Sequence, residues 1–221
     1  MFIGHWAPAL AAAAHPKAPG LGTLFLAGQL VDWAFFAFVL ADIEHLRLSP
    51  GISVMNPMDL YHMPYTHSLV GALVFAAAFA ALVWLATRSR AAALIGGAVV
   101  VSHWFVDLLV HVPDLTLWGS PPKLGLGLWN HPALAMPLEL GLVALALVML
   151  VRARPPSRGD WAVLAVLAAA MLLVQAVNWF GPQPTEPDLA AALVVFGTYG
   201  VITLLAAWAG RRLPPPKEVP A

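Results

Sequence analysis

The chain has 221 residues, of which 61% are hydrophobic and only 10% are charged, and its formal net charge at pH 7 is zero. A soluble domain of this length cannot bury so much apolar surface, so the composition excludes an ordinary soluble protein and predicts an integral membrane protein. The neutral balance argues against a nucleic-acid partner, and the absence of cysteine excludes disulfides and thiolate metal sites.

Seven apolar stretches define the predicted elements. Residues 1–14 form the first, which contains Gly4 and Pro8 and is too short to span straight; we expect a half-span or tilted helix that enters the membrane from its first residue. This stretch lacks the positively charged start of a cleavable signal peptide. Six longer stretches approach the roughly 20 residues that a membrane-spanning helix needs. They are residues 21–41, 68–87, 91–112, 133–151, 161–180 and 189–210.

These stretches predict an all-α fold, a polytopic transmembrane helical bundle of about six long spans plus the short N-terminal helix. We expect one transmembrane domain over residues 1–212 and a proline-rich C-terminal tail at residues 213–221. Basic residues follow the second, fourth and sixth long spans, which places those loops in the cytoplasm by the positive-inside rule. The predicted location is a bacterial cytoplasmic (inner) membrane.

Four ionisable residues inside the long spans have no basic partner there. Asp32, His103, Asp107 and Glu139 lie in spans that contain no Lys or Arg. An unpaired carboxylate in hydrocarbon costs several kcal/mol, so each must face a cavity, hold a proton or bind a cation. Carboxylates and imidazoles without an internal base therefore predict a bound metal.

The predicted topology places these residues in one layer of the membrane. His103, Asp107 and His111 are spaced four residues apart, so they form a stripe about 12 Å long on one helix face. With His5 near the chain start and His67 at the start of the second long span, every ionisable residue inside a span maps to the outer half of the bilayer. Three residues spread over that length cannot all bind the same ion. Either a second ion is present, or the residue at one end of the stripe binds no metal and instead holds the ligands in position.

Imidazole and carboxylate ligands without thiolates suit zinc, manganese or iron better than calcium or magnesium, and zinc is our first choice. We expect one or two divalent ions. The predicted metal ligands are His5, Asp32, His67, His103 and Asp107. Glu139 is the predicted general base, and His111 is predicted either to support the ligands or to bind a second ion.

Each of these residues also has a simpler interpretation. His103 and Asp107 could form a proton relay or an interhelical hydrogen bond, and Asp32 could be a protonated carboxylate packed between helices. His5 could lie at the headgroup interface, and Glu139 could bond to a neighbouring helix. Asp42, Glu44 and His45 follow the first long span, where Glu44 or His45 could fold back onto the site.

Several short motifs carry a resemblance to a known family. In chain order they are Gly4-His5, the acidic Asp32, Asp42-Ile43-Glu44-His45, Tyr65-Thr66-His67-Ser68 and Ser102-His103-x3-Asp107. With these motifs in the first half, the chain resembles the YdjM-like membrane-bound metal-dependent hydrolases. That family commonly shows a fuller Asp-x-Asp-His and His-Arg-Gly-x-Thr-His-Ser. The ligand types are also similar, as an analogy of site only, to zinc phospholipase C and P1-type nucleases.

The predicted function is a membrane-embedded, metal-dependent hydrolase that cleaves an ester or phosphoester of a lipid or other amphiphile at the outer side. Membrane lipids are the predicted partners and water the nucleophile. The leading alternative is an ion or proton-coupled transporter that uses the same acidic and histidine residues. A third possibility is a scaffold protein whose metal only staples the bundle.

Overall fold

A computed structural model describes residues 1–182 and 188–216 of the chain. The described residues form a helical bundle with six helices long and apolar enough to cross a membrane, which confirms the predicted fold class. The helices are α1 (Ala7–Ala12), α2 (Leu21–Leu40), α3 (Leu69–Thr87), α4 (Arg90–Val110), α5 (Pro132–Ala153), α6 (Arg158–Phe180) and α7 (Leu189–Arg212). The predicted bounds of the long spans differ from these by at most three residues. Residues 217–221 of the predicted tail lie outside the described residues.

The helices pack through small residues, as membrane helices commonly do because lipid gives no hydrophobic drive for association. A Cβ atom added to Gly22 of α2 would lie 2.5 Å from the Cβ of Ala207 in α7, and one added to Gly210 would lie 2.7 Å from Leu21. Glycine therefore lets α2 and α7 approach closely. With the helices this close, Tyr199 in the middle of α7 lies beside Asp32 in the middle of α2.

The N-terminal segment lies inside the bundle. Residues Ile3–Trp6 form a 3-10 helix that continues into α1, and all four of its residues are buried. The indole nitrogen of Trp6 donates to the carbonyl of Phe25 at 3.2 Å. The predicted membrane-entering helix is therefore a short element packed among α2, α4 and α5. Its histidine, His5, is buried inside the bundle.

Two small β-hairpins cover the end of the bundle where α2 and α4 end. Strands β1 (His45–Leu48) and β2 (Met58–His62) pair antiparallel, as do β3 (Leu115–Thr116) and β4 (Lys123–Leu124). A bridge between Ser68 and Thr116 joins the start of α3 to the second hairpin. These strands were not predicted, because their sequences resemble the apolar loops of a membrane protein.

The opposite end carries the arginine-rich connections. Arg154, which follows α5, donates to the carbonyls of Gly210, Leu213 and Pro214 at 3.1, 3.0 and 2.6 Å. One guanidinium thus provides donors for carbonyls at the end of α7 that lack partners within the helix. The two ends of the bundle therefore differ chemically: the hairpins lie at one end, and every arginine except Arg47 lies toward the other.

Candidate metal centre

Six of the predicted site residues converge at one place although they come from separate elements. They are His5 from the 3-10 helix, Asp32 from α2, His67 just before α3, His103 and Asp107 from α4, and His111, which caps α4. The five other than Asp32 are at most 3% exposed, and the Asp32 side chain is 16% exposed. A buried cluster of this composition requires compensating charge.

Asp107 lies at the centre of the cluster. Its Oδ1 is 3.0 Å from Nε2 of His5 and 3.3 Å from Nε2 of His111. Its Oδ2 is 3.0 Å from Nε2 of His103 and 3.7 Å from Nε2 of His67. The Met1 amine also donates to Oδ1, at 2.9 Å. Each oxygen of one carboxylate thus faces a different pair of imidazoles.

Asp32 provides the second carboxylate. Its Oδ1 lies 3.4 Å from Nε2 of His103 and 3.5 Å from Nε2 of His67. Its Oδ2 accepts a hydrogen bond of 3.1 Å from the hydroxyl of Tyr199 in α7. One oxygen of Asp32 is therefore directed at the histidines, while the other is anchored to a neighbouring helix.

Nδ1 of His103 can only act as a hydrogen-bond donor. Its Nδ1 is 2.8 Å from the carbonyl oxygen of Gly28, and a carbonyl can only accept, so Nδ1 carries the proton. Nε2 then bears the lone pair in a neutral ring. Among the described residues this buried Nε2 has no hydrogen-bond partner, although carboxylate oxygens of Asp32 and Asp107 lie within 3.4 Å.

Two further histidines are anchored in the same manner. Nδ1 of His111 lies 2.9 Å from Oδ1 of Asp114, and Nδ1 of His67 lies 2.8 Å from the hydroxyl of Thr66. Histidines that bind metals almost always donate their other ring N–H to a carboxylate, carbonyl or similar acceptor. The three rings therefore direct their Nε2 atoms at the carboxylates in the orientation of metal ligands.

A proton or a metal ion between these facing acceptor atoms would stabilise the cluster. A neutral Nε2 directs a lone pair at carboxylate oxygens, which are also acceptors, so the contacts repel unless a proton or a metal ion lies between them. Ligand atoms about 2.1 Å from a tetrahedral ion lie about 3.4 Å apart. The nitrogen–oxygen distances of 3.0 to 3.7 Å around Asp107 and Asp32 fall in that range.

Two groups of three residues have ligand atoms close enough to hold an ion. One group contains His5, His103 and Asp107, and the other contains Asp32, His67 and His103. The single Nε2 of His103 belongs to both groups, so they describe overlapping positions. All five predicted metal ligands belong to one group or the other.

His111 contacts the cluster from its outer edge. Its ring lies 4.2 Å from that of Trp129, centroid to centroid, which covers the histidine. Its Nε2 lies 3.3 Å from Oδ1 of Asp107 and its Nδ1 lies 2.9 Å from Oδ1 of Asp114. Both carboxylates favour a proton on this ring, and such a proton would compete with a metal ion.

Glu139 lies near the cluster but faces the N-terminal segment. Its Oε1 accepts from the backbone N–H groups of Phe2 and Gly4 at 2.6 and 2.9 Å. Its Oε2 accepts from the side-chain amide of Gln175 at 3.2 Å, and the oxygen of Gln175 accepts from the N–H of Ile3. These contacts position the segment that carries His5; the role of Glu139 as a general base stays a prediction.

Several residues of the centre were not among the predicted ligands. Tyr199 and Gln175 are polar residues in the middle of mostly apolar helices, which is a weak signal in the sequence. Glu44 is fully buried and accepts a hydrogen bond from the hydroxyl of Thr66. Asp42 and His45, which the family resemblance singled out, pair with each other at 3.4 Å, and the Asp42 side chain is 95% exposed.

Comparisons with protein-family models, curated proteins and solved structures found no match to this chain. No relative therefore assigns a role to any residue of the cluster, and its chemistry has to be inferred from its geometry.

Proposed function

We propose that the cluster binds a divalent metal ion, with zinc as the preferred metal and manganese or iron as alternatives. One observation carries this proposal: His67, His103 and His111 all have Nδ1 anchored and Nε2 directed at buried carboxylates. Imidazole nitrogen and carboxylate oxygen without thiolate are the ligand types of such sites. His5, Asp32 and Asp107 complete the proposed ligand set.

The number of ions is one or two. His103 can bind only one ion through Nε2, so its two overlapping groups support one ion directly. A second ion can share Asp107, because each oxygen of that carboxylate faces different imidazoles. In that arrangement His111 contributes to the second ion.

We further propose that the protein is a hydrolase acting on an ester or phosphoester. A bound divalent ion lowers the pKa of coordinated water to about 7, which supplies the nucleophile that hydrolysis needs. The resemblance to the YdjM-like hydrolases supports the same chemistry. Lys and Arg concentrate at the bundle end opposite the cluster, which supports an orientation with the site toward the outside of a bacterial inner membrane.

A lipid or other amphiphile is the proposed substrate class. Asp32 is the most exposed residue of the predicted ligand set, with 16% of its side chain accessible. It lies within α2, a helix that the hydropathy pattern places in the membrane. A site whose accessible ligand lies at membrane depth is suited to substrates that enter from the bilayer rather than to soluble ones.

Metal analysis of detergent-purified protein tests the proposal. We expect one or two equivalents of zinc or manganese in the wild type and loss of metal in His103→Ala and Asp107→Ala. His62→Ala removes an exposed histidine outside the cluster and should keep the full amount. Wild-type protein that stays metal-free after zinc supplementation would contradict the proposal and favour a proton-coupled transporter.

Turnover separates an enzyme from a scaffold. The loaded protein would be screened against ester and phosphoester lipids in mixed micelles, with the Asp107→Ala variant as the inactive control. Hydrolysis by the wild type alone supports the enzyme. Metal that stabilises the bundle without any turnover across these lipids would instead support a structural ion.

A further inference from the structure

Glu44 is fully buried although it lies in the polar segment between α2 and β1. Its Oε1 accepts from the backbone N–H groups of Tyr65 and Thr66 at 2.8 and 2.9 Å. Its Oε2 accepts from the Thr66 hydroxyl at 2.5 Å. The same hydroxyl lies 2.8 Å from Nδ1 of His67. A continuous chain of contacts therefore links Glu44 to the metal centre.

The direction of each hydrogen bond in this chain follows from the number of protons available. The Thr66 hydroxyl has one proton, and it donates that proton to the carboxylate of Glu44. The hydroxyl oxygen can then only accept from His67, so Nδ1 of His67 must carry its proton. In a neutral ring this leaves the lone pair on Nε2, the atom that faces Asp32 and Asp107.

We propose that Glu44 is a positioning residue which, through Thr66, sets the tautomer of His67 that is able to bind metal. The inference rests on the proposed metal site and extends it to a residue with no direct contact to the cluster. The carboxylate of Glu44 accepts the proton of the Thr66 hydroxyl, so the hydroxyl oxygen can only accept from the imidazole of His67.

A purely structural role for Glu44 does not account for all of its contacts. Oε1 binds the backbone of Tyr65 and Thr66 and so holds the segment before α3. Oε2 is instead directed at the Thr66 hydroxyl, which contacts His67. The two oxygens thus have separable functions, which substitutions can test one at a time.

The Glu44→Gln variant should reverse the direction of the hydrogen bonds that link residue 44 to His67. Its amide oxygen can still accept from the two backbone N–H groups, while its amide nitrogen faces Thr66 and donates to it. The hydroxyl then donates to Nδ1 of His67, which moves the ring proton to Nε2 and blocks that ligand. We expect zinc affinity to fall about 10- to 100-fold, as for other outer partners of ligating histidines.

Two substitutions of Thr66 complete the series. Thr66→Val removes the hydroxyl with little change of shape, and we expect zinc affinity to fall in the same range. Thr66→Ser keeps the hydroxyl and should bind zinc with close to wild-type affinity, because the contact to Nδ1 of His67 is preserved. Ser68→Ala is the matched control, because it removes the neighbouring hydroxyl that caps α3 without a contact to the His67 ring.

Zinc affinity would be measured by competition with a chromophoric chelator in detergent. The tautomer of His67 would be read in zinc-free protein from nitrogen NMR of histidine-labelled samples, with His67→Gln to assign the signal. A proton on Nδ1 of His67 in the wild type, and its loss from Nδ1 in Glu44→Gln, is the expected pair of results.

Zinc affinity and the His67 tautomer distinguish a failure of the Glu44 role from a failure of the proposed metal site. Wild-type protein that binds zinc while Glu44→Gln binds it equally well would overturn the role of Glu44 and leave the metal site intact. Wild-type protein that binds no zinc would contradict the proposed function, whereas the zinc-free tautomer would still decide the inference. An unchanged tautomer in Glu44→Gln would overturn it.

Discussion

Glu139→Ala should destabilise the bundle by removing the acceptor that holds the N-terminal segment. The carboxylate accepts from the N–H groups of Phe2 and Gly4 and from the amide of Gln175. Each buried donor left without an acceptor costs about 1 to 3 kcal/mol. With three donors affected, we expect a loss of at least about 3 kcal/mol. For a chain of this size that lowers Tm by at least about 6 °C.

The assay is thermal unfolding in detergent, followed by tryptophan fluorescence. The chain contains nine tryptophans, of which Trp6 and Trp104 are buried and report on packing. A chelator keeps the samples free of metal, so that altered ion binding does not contribute to the difference. Glu139→Gln is the control: its oxygen can keep both backbone bonds, and we expect a loss of about 1 to 2 kcal/mol.

The result also bears on the predicted catalytic role of Glu139. A general base that contacts only water and substrate could be removed without a large change in stability. A Tm of Glu139→Ala within about 2 °C of the wild type would therefore refute the positioning role and favour the base. A large decrease together with weaker metal binding would show that the segment carrying His5 depends on this carboxylate.

Three further outcomes are expected. A Cβ at Gly28 would lie 2.6 Å from the carbonyl oxygen of His5, so Gly28→Ala should weaken zinc binding at least about 10-fold, measured by chelator competition, whereas Gly141→Ala, which has open space around it, should bind normally. Removing the metal should lower Tm, and zinc at 100 times its Kd should restore about 2.7 kcal/mol, or about 5 to 11 °C, while equal magnesium should restore less because it prefers oxygen ligands. Tyr199→Phe removes the bond to Asp32 and should reduce zinc affinity several-fold with little change in metal-free Tm; equal affinities would show that the hydroxyl does not orient this carboxylate.

The membrane-spanning helices could be predicted from the sequence because hydropathy and length are local properties. A stretch of about 20 apolar residues must form a helix in hydrocarbon, where every backbone polar group needs an internal partner. The two β-hairpins could not be predicted in the same way. Their strands are short, and their pairing depends on contacts between distant segments, such as the bridge from Ser68 to Thr116.

The residue types of the candidate site were also apparent from the sequence. An acidic residue in an apolar span must be compensated, so Asp32 and Asp107 stand out without any structure. The four-residue spacing of His103, Asp107 and His111 places them on one helix face. Depth along the helices then indicated a common layer. Hydropathy and spacing thus determined the membrane class and most of the candidate ligands.

Only the tertiary structure decided how these residues are held. The rotation of α2 and α7 brings Tyr199 to Asp32, and the path of the segment after α2 brings Glu44 to Thr66. The folded N-terminal segment turns Glu139 toward backbone N–H groups. Hydropathy sets which residues enter the membrane, but hydrogen-bond partners depend on the angle of each helix about its axis and on loop paths, which arise from packing over the whole bundle.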